Sequence, residues 1–273
     1  MPSIKEILKN SSNRLRSVAQ NPQKEAMTLL AYSLHVEIVW LLTHENRSID
    51  IPKNFLEYLE KRLDCYPLEY IVKSTSFYSK EFYTDERVLI PRPETEILID
   101  QISSTCRAYK KPHVVEIGTG SGIISVVLAT LFPDAKITAT DISEDALEVA
   151  KINAKRYGVS DKIKFLNCNL LDGVGEKIDI LVSNPPYIKI GEKLDKNLSY
   201  EPDLALFGGE KGDEILKQII DEFIKRKASL LACEMGYDQK EKILNYLRKY
   251  NLEAKFYRDL AGIDRGFVVK NLR

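Results

Sequence analysis

Apolar side chains near the start of the chain recur at helical spacing. Ile4, Ile7, Leu8, Leu15, Val18 and Ala19 follow one another at intervals that keep them on one helix face. Pro22, tolerated in a first helical turn, precedes Ala26, Leu29, Leu30 and Leu34 in the same rhythm. A further helix is predicted from Pro52, with Phe55, Leu56, Leu59 and Leu63 on its apolar side. Residues 1–75 are therefore read as a small helical domain. The texture then changes to FYSKEFYTDERVLI, aromatic and β-branched around a polar Ser-Lys-Glu, and residues 76–92 are read as a β-hairpin linker. Pro93 is expected to open a helix with Glu94 and Glu96 in its first turn, where the helix dipole favours acids.

Beyond Pro112 the period alternates. HVVEIG, KITATD, IKFLNC, IDILVSN, SLLACEMG, EAKFYRD and GFVVKN read as strands. Amphipathic stretches such as SEDALEVAKINAKRYG and GDEILKQIIDEFIKRK lie between them. Strand alternating with helix predicts an α/β fold, a mostly parallel sheet with helices on both faces, over residues 93–273.

Composition narrows the function classes. Of 273 residues 44% are hydrophobic, enough for a sizeable core. Lys+Arg and Asp+Glu each total 40, and up to Asp85 each totals 11, so neither the chain nor its first part carries the basic excess of a phosphate-bound protein. Cys65, Cys106, Cys168 and Cys233 are scattered, with no C-x-x-C pair, and with the three histidines give no zinc spacing, so no metal site is expected. MPSIKEILKN has no apolar signal region and no stretch approaches a membrane span, which leads to the expectation of a cytoplasmic protein without membrane contact.

Two places carry chemistry. The strand Val114–Ile117 runs into Gly118-Thr119-Gly120-Ser121-Gly122 and then a helical run, so the glycines allow positive φ and close approach of a ligand to the backbone. Asp141 ends the next strand, 19 residues past Gly122, where an acid accepts hydrogen bonds from ribose hydroxyls; Ile142 follows it. A dinucleotide fingerprint would need a glycine where Ile123 stands. Glu116 would repel a pyrophosphate but attract a cationic amino-acid moiety, which points to S-adenosylmethionine as the cofactor.

At the end of the strand IDILVSN comes Asn184-Pro185-Pro186-Tyr187. A planar amide or aniline-like nitrogen is a poor nucleophile because its lone pair is delocalised. Methylating it requires acceptors that bind both N–H bonds and turn the lone pair toward the methyl group. Asn184 Oδ1 and the Pro185 carbonyl are read as those acceptors, with Pro185 and Pro186 stiffening the turn and Tyr187 offering a ring face to a planar substrate.

These motifs, E-I-G-T-G-S-G, A-T-D-I-S and S-N-P-P-Y-I, look like those of class I S-adenosylmethionine-dependent methyltransferases that modify exocyclic or amide nitrogens. With I-P-R-P-E-T-E (90–96), E-P-x-x-A-L-F-G-G-E-x-G (201–212) and D-R-G-F-V-V (264–269), the chain resembles the peptide chain release factor glutamine-N5 methyltransferases, the HemK/PrmC family. The resemblance implies a Rossmann-like seven-stranded sheet with its last strand antiparallel, and methylation of the glutamine in the Gly-Gly-Gln loop of bacterial release factors. Residue by residue the resemblance carries cofactor binding to Gly118–Gly122 and Asp141, the substrate-amide clamp to Asn184–Tyr187, and the adenine cover to Asn169, Leu170 and Leu171, where an aromatic found in some relatives is absent. A lone glutamine side chain is too common for the clamp to select by itself. The helical domain has no chemical motif of its own, and with the hairpin around Phe77–Tyr83 it is read as the part that recognises the substrate.

Arg92 is read as a cofactor or substrate contact or as a structural salt bridge, and Glu201-Pro202 and Phe207-Gly208-Gly209 as pocket wall or architectural turns. Met27, Trp40, Tyr66, Tyr70, Tyr78 and Tyr83 are read as packing residues, and the charges around Glu241 as a solvated helix face. The alternative in the same reaction class is a DNA or RNA amino-methyltransferase acting on adenine N6 or guanine N2. The neutral first 85 residues count against it, and no stable nucleic-acid binding is expected. A non-catalytic binding module is disfavoured by the intact Asn184–Tyr187 turn, and a nicotinamide oxidoreductase by Ile123.

Overall fold

The structure, a computed structural model, describes residues 1–271. The chain divides into two compact units. The first holds Met1–Ser74 and, in addition, Leu194–Tyr200. Its helices are α1 (Ile4–Leu15), α2 (Pro22–Leu34), α3 (Ile38–Thr43), α4 (Lys53–Leu63) and α5 (Leu68–Val72). Ser3 and Glu6 form a reciprocal capping box on α1, and Asn21 caps α2 with Pro22 in its first turn. Ile4, Leu15, Leu29, Leu30, Leu41, Phe55 and Leu59 make the centre of this unit's core.

The buried stripe of α4 differs from expectation. Phe55, Leu59 and Arg62 are buried, whereas Leu56 is 44% exposed. Arg62 takes the inward place because its charge is matched there: Nε donates to Glu25 at 2.6 Å and Nη2 to the Val18 carbonyl at 2.8 Å. The segment Leu194–Tyr200, expected within the larger domain, joins the helical unit through Asp64 and Tyr66. Lys196 pairs with Asp64, the Tyr200 hydroxyl donates to Asp64 Oδ2 at 2.9 Å, and the Tyr200 ring stands edge-on to Tyr66 at 5.1 Å.

The second unit begins with a hairpin of β1 (Thr75–Phe77) and β2 (Lys80–Phe82). Tyr78 and Ser79 both take positive φ, the conformation a two-residue hairpin turn demands. The hairpin is shorter than the 76–92 expected, and Phe77 and Phe82 are buried in this unit's own core. After it come α6 (Thr95–Ala108), β3 (His113–Ile117), α7 (Ile123–Leu131), β4 (Lys136–Asp141), α8 (Glu144–Arg156), β5 (Ile163–Asn167) and β6 (Ile180–Ser183). Next are β7 (Ile188–Lys189), α9 (Asp203–Leu206), β8 (Phe207–Gly209), α10 (Glu214–Arg226) and β9 (Leu230–Glu234). Then follow α11 (Lys240–Arg248), β10 (Ala254–Arg258) and β11 (Asp264–Lys270). Helix α6 starts two residues later than expected, with Pro93 and Glu94 in the turn before it.

Seven strands form one sheet in the order β10-β11-β9-β6-β3-β4-β5, with β11 antiparallel to both neighbours. Alternate residues feed two cores. Val114, Ile180 and Ala232 pack with α6 and α7 on one face, and Val115, Leu181 and Leu231 with α10 and α11 on the other. Burial on both faces is why these strands read as continuous apolar runs. The chain builds outward from β3 to β5 and then crosses back to β6 on the other side of β3. That reversal places the carboxyl ends of β3 and β6 side by side, where open α/β sheets bind ligands. Among the described residues no helix is long and apolar enough to cross a membrane.

Candidate active site

A cavity of about 260 Å³ opens at this reversal. Its walls bring together Glu116, the glycine loop Gly118–Ser121, Asp141–Ile142, Asn169–Leu170 and Asn184–Pro186. Tyr187, expected to face the substrate, does not line the cavity; its carbonyl accepts from Gln239 Nε2 at 3.0 Å. Gly122 likewise stands behind the wall as the N-cap of α7, with φ at 81°.

The glycine loop is held from behind by its own amides. Gly118 and Thr119 N–H donate to the Thr140 carbonyl, at 2.9 and 3.0 Å, Gly120 N–H to Asp141 Oδ2 at 2.8 Å, and Gly122 N–H to the Thr119 carbonyl at 2.8 Å. A pyrophosphate-binding loop would aim such donors at its ligand. The loop's committed amides are one argument against a dinucleotide.

Glu116 supplies a second. Its Oε2 accepts from Thr119 Oγ1 at 2.8 Å, from Ser125 N–H at 3.0 Å and from Ser125 Oγ. A carboxylate therefore already occupies the N-terminal turn of α7, the place where a phosphate would dock. Sequence reasoning assigned Glu116 to the ligand and missed this tie between loop and helix. Ser125, the third residue of the predicted helix, was the available signal. Burial pushes the Glu116 carboxyl up to about 8, against the pull of its hydroxyl and amide donors, with the nearby Asp141 charge adding to the rise. Asp141 is also raised by burial, although Ser143 and Gly120 N–H groups hold its charged form.

The cavity is electrostatically biased. Its two arginines are paired with carboxylates: Arg87 with Asp85 at 2.7 Å, and Arg92 with Glu201, which also accepts Ile90 N–H at 2.9 Å. Arg92 is thus part of a salt bridge that fastens the 90–92 segment. Among the described residues Glu116 and Asp141 have no ion-pair partner, and a cationic ligand in the cavity would draw both toward their charged forms. Ile142, 60% exposed, and Leu170, in the left-handed region at φ 48°, offer apolar cover beside them.

At the other wall, Ser183 pairs with Ile117 in the sheet and its Oγ donates to the Ile117 carbonyl at 2.7 Å. Asn184 is the next residue, so it emerges level with Gly118. Its Nδ2 donates to Thr95 Oγ1 at 3.1 Å, an arrangement that leaves Oδ1 for the cavity. Sequence reasoning did not foresee a small parallel ladder behind the turn, Ile188 with Phe207 and Lys189 with Gly209. It presses Phe207-Gly208-Gly209 onto the turn. A Cβ at Gly208 would stand 2.4 Å from the Pro186 carbonyl oxygen.

Sheet order, glycine loop and switch-point cavity together define the methyltransferase class of α/β fold. Residues 93–201 match the family described as methyltransferase small domain, and residues 6–72 that described as PrmC N-terminal domain. A release factor glutamine methyltransferase of Chlorobaculum tepidum is 35% identical over 262 residues, covering 90% of this chain and 89% of the relative. The chain belongs to the release factor glutamine methyltransferase family. A bifunctional methyltransferase of Rickettsia typhi is 36% identical over 96% of this chain, yet this chain spans only 56% of that relative's length. Among solved structures, a ribosomal protein L11 methylase from Lactobacillus delbrueckii subsp. bulgaricus shares the fold, with a TM-score of 0.51 and 24% identity over 69% of this chain and 84% of the other.

Proposed function

We propose that this chain transfers a methyl group from S-adenosylmethionine to the side-chain amide nitrogen of the glutamine in the Gly-Gly-Gln loop of bacterial peptide chain release factors, in the cytoplasm. The observation that carries the reading is Asn184, with its NH2 tied to Thr95 and its oxygen left for the cavity beside the glycine loop. The family relationship supports the choice of substrate.

The cavity's donor set fits the cofactor. Asp141 would accept from the ribose hydroxyls, Glu116 Oε1 would face the cationic amino-acid end, and Ile142, Asn169 and Leu170 would cover the adenine. When bound, S-adenosylmethionine supplies an electrophilic methyl group on a sulfonium. The chain's own residues do the rest. Asn184 Oδ1 and the Pro185 carbonyl each accept one N–H of the substrate amide, which holds the nitrogen in place and localises its lone pair. Pro185 and Pro186 keep those two oxygens in fixed relation, so little reorganisation is needed when charge develops. Substrate choice is assigned to the helical unit, which leaves Val39, Leu42, Ile51 and Leu56 exposed as apolar surface for a folded protein.

The direct test offers purified release factor, ribosomal RNA and DNA together to the enzyme with labelled S-adenosylmethionine. Label is expected in the release factor alone; label in nucleic acid would replace this reading with the amino-methyltransferase one.

Two predictions concern the cofactor wall. Asp141→Ala is expected to weaken S-adenosylmethionine binding by about 1.5–3 kcal/mol, the worth of hydrogen bonds to a charged acceptor. Calorimetry on the folded variant checks it, and unchanged affinity would remove Asp141 from the ribose site. The second is a pH dependence. The Glu116 carboxyl, ordinarily at 4.5, sits at about 8 in the folded protein, so the unfolded chain loses this proton first and the group's contribution to stability falls as pH rises between those values. A cationic ligand beside Glu116 favours the carboxylate, so binding below about pH 8 releases a proton and affinity rises with pH by up to about tenfold per unit. Proton release measured in two buffers of different ionisation enthalpy should show it. Glu116→Gln should flatten the slope, and a wild-type slope in that variant would assign the proton to another group.

A further inference from the structure

Thr95 opens α6 and is fully buried, at 0% exposure. One neighbour of its hydroxyl is Asn184, whose Nδ2 donates to Thr95 Oγ1 at 3.1 Å. Another is Glu234, the last residue of β9, also buried, whose carboxyl lies near enough to the Thr95 side chain to be drawn toward its charged form by it. Among the described residues, Glu234 Oε1 has no hydrogen-bond partner. An acid with an unmatched buried oxygen is costly to keep. Thr95 lines the cavity beside Asn184, and Glu234 stands behind it, outside the lining.

The arrangement matters because an asparagine amide is nearly symmetric in shape. Its oxygen and its NH2 exchange places on a half-turn, and only hydrogen bonding chooses between the two poses. A hydroxyl has one proton. When that proton goes to the Glu234 carboxylate, Thr95 Oγ1 is left to accept, and it selects the NH2 of Asn184. The oxygen must then face the cavity. In the opposite pose the Asn184 NH2 would meet the NH2 of the substrate, donor against donor, and the nitrogen would not be held.

We propose that Thr95 is a positioning residue whose hydroxyl, oriented by Glu234, fixes the Asn184 amide with Oδ1 toward the substrate. The inference rests on the reading of Asn184 as acceptor of a substrate N–H. It explains why an acid is kept at the buried end of β9, one residue beyond the strand's apolar run Leu230–Cys233.

The test compares Thr95→Val, Thr95→Ala and Thr95→Ser in the full chain, using intact release factor and labelled S-adenosylmethionine under single-turnover conditions. Loss of the hydroxyl in Val or Ala should lower the transfer rate by about tenfold, the effect of one lost hydrogen bond. Cofactor affinity should not change, and Ser should restore the rate to within about twofold. In an Asn184→Ala background, Thr95→Val should add no further loss, because the group it orients is gone. A variant that fails to fold is recognised by its melting curve, and the remaining hydroxyl-free variant carries the comparison. Wild-type rates in Val or Ala, a Ser variant as slow as Val, or full additivity with Asn184→Ala would each overturn the proposal. If Asn184→Ala itself keeps the wild-type rate, the acceptor reading fails instead.

Discussion

Asn184→Ala is expected to slow methyl transfer by about 10²–10³ while S-adenosylmethionine affinity stays within about twofold. The residue lies one position past the last β6–β3 pair, and its NH2 is anchored to Thr95 and not to the sheet or the glycine loop, so removing it leaves both as they are. On the proposed reading, what disappears is one of two preorganised acceptors for the substrate amide. The remaining Pro185 carbonyl holds one N–H and leaves the other free, so the nitrogen lone pair is no longer aimed. Single-turnover rates at saturating release factor give the comparison. A rate near wild type in a folded variant would place the amide elsewhere.

Gly208→Ala should be nearly as damaging for a different reason. The added Cβ would meet the Pro186 carbonyl oxygen at 2.4 Å and the Gly212 carbonyl oxygen at 2.5 Å, and both are main chain. Neither can rotate away as a side chain would, so the Asn184–Tyr187 turn or the 207–212 segment must shift. Overpacking of this kind costs about 1–3 kcal/mol. A misplacement near 1 Å at the reacting centre costs about 10² in rate. The expected result is a lowered melting temperature, a rate down about a hundredfold, and cofactor affinity held within about threefold, since the glycine loop and Asp141 are untouched. Equal losses in cofactor binding and rate would show instead that the whole cavity had collapsed.

The strands of the large sheet were legible because burial on two faces produces short apolar runs, and Gly118–Gly122 and Asp141 stand at the ends of two of them. Most of the predicted site residues line one cavity for the same reason, Gly122 and Tyr187 excepted, since a strand end is a position the sequence exposes directly. Three things were not legible. Glu116 serves the start of α7 as well as the cavity wall, and a lone serine at 125 is too common a signal to separate a capping carboxylate from a ligand-binding one. The short β7–β8 ladder and the docking of Leu194–Tyr200 among the helices depend on contacts far apart in sequence, in segments too short for periodicity. The outward Leu56 and inward Arg62 of α4 reverse what hydrophobicity predicts, because a matched charge pair with Glu25 replaces an apolar contact. Thr95 and Glu234 belong to the same class of miss: they meet through the fold, 139 positions apart, and neither carries a motif of its own.

The central claim is that the Asn184–Pro186 turn delivers a methyl group to one planar amide nitrogen of a protein substrate. The measurement that tests it most directly is fragment-ion mapping of intact release factor after a single turnover with this enzyme and labelled S-adenosylmethionine. The account predicts one methyl group, on the side-chain nitrogen of the glutamine in the Gly-Gly-Gln loop, and none with Asn184→Ala over the same interval. A methyl group on a lysine, an arginine or the main chain, or equal labelling by Asn184→Ala, would contradict it.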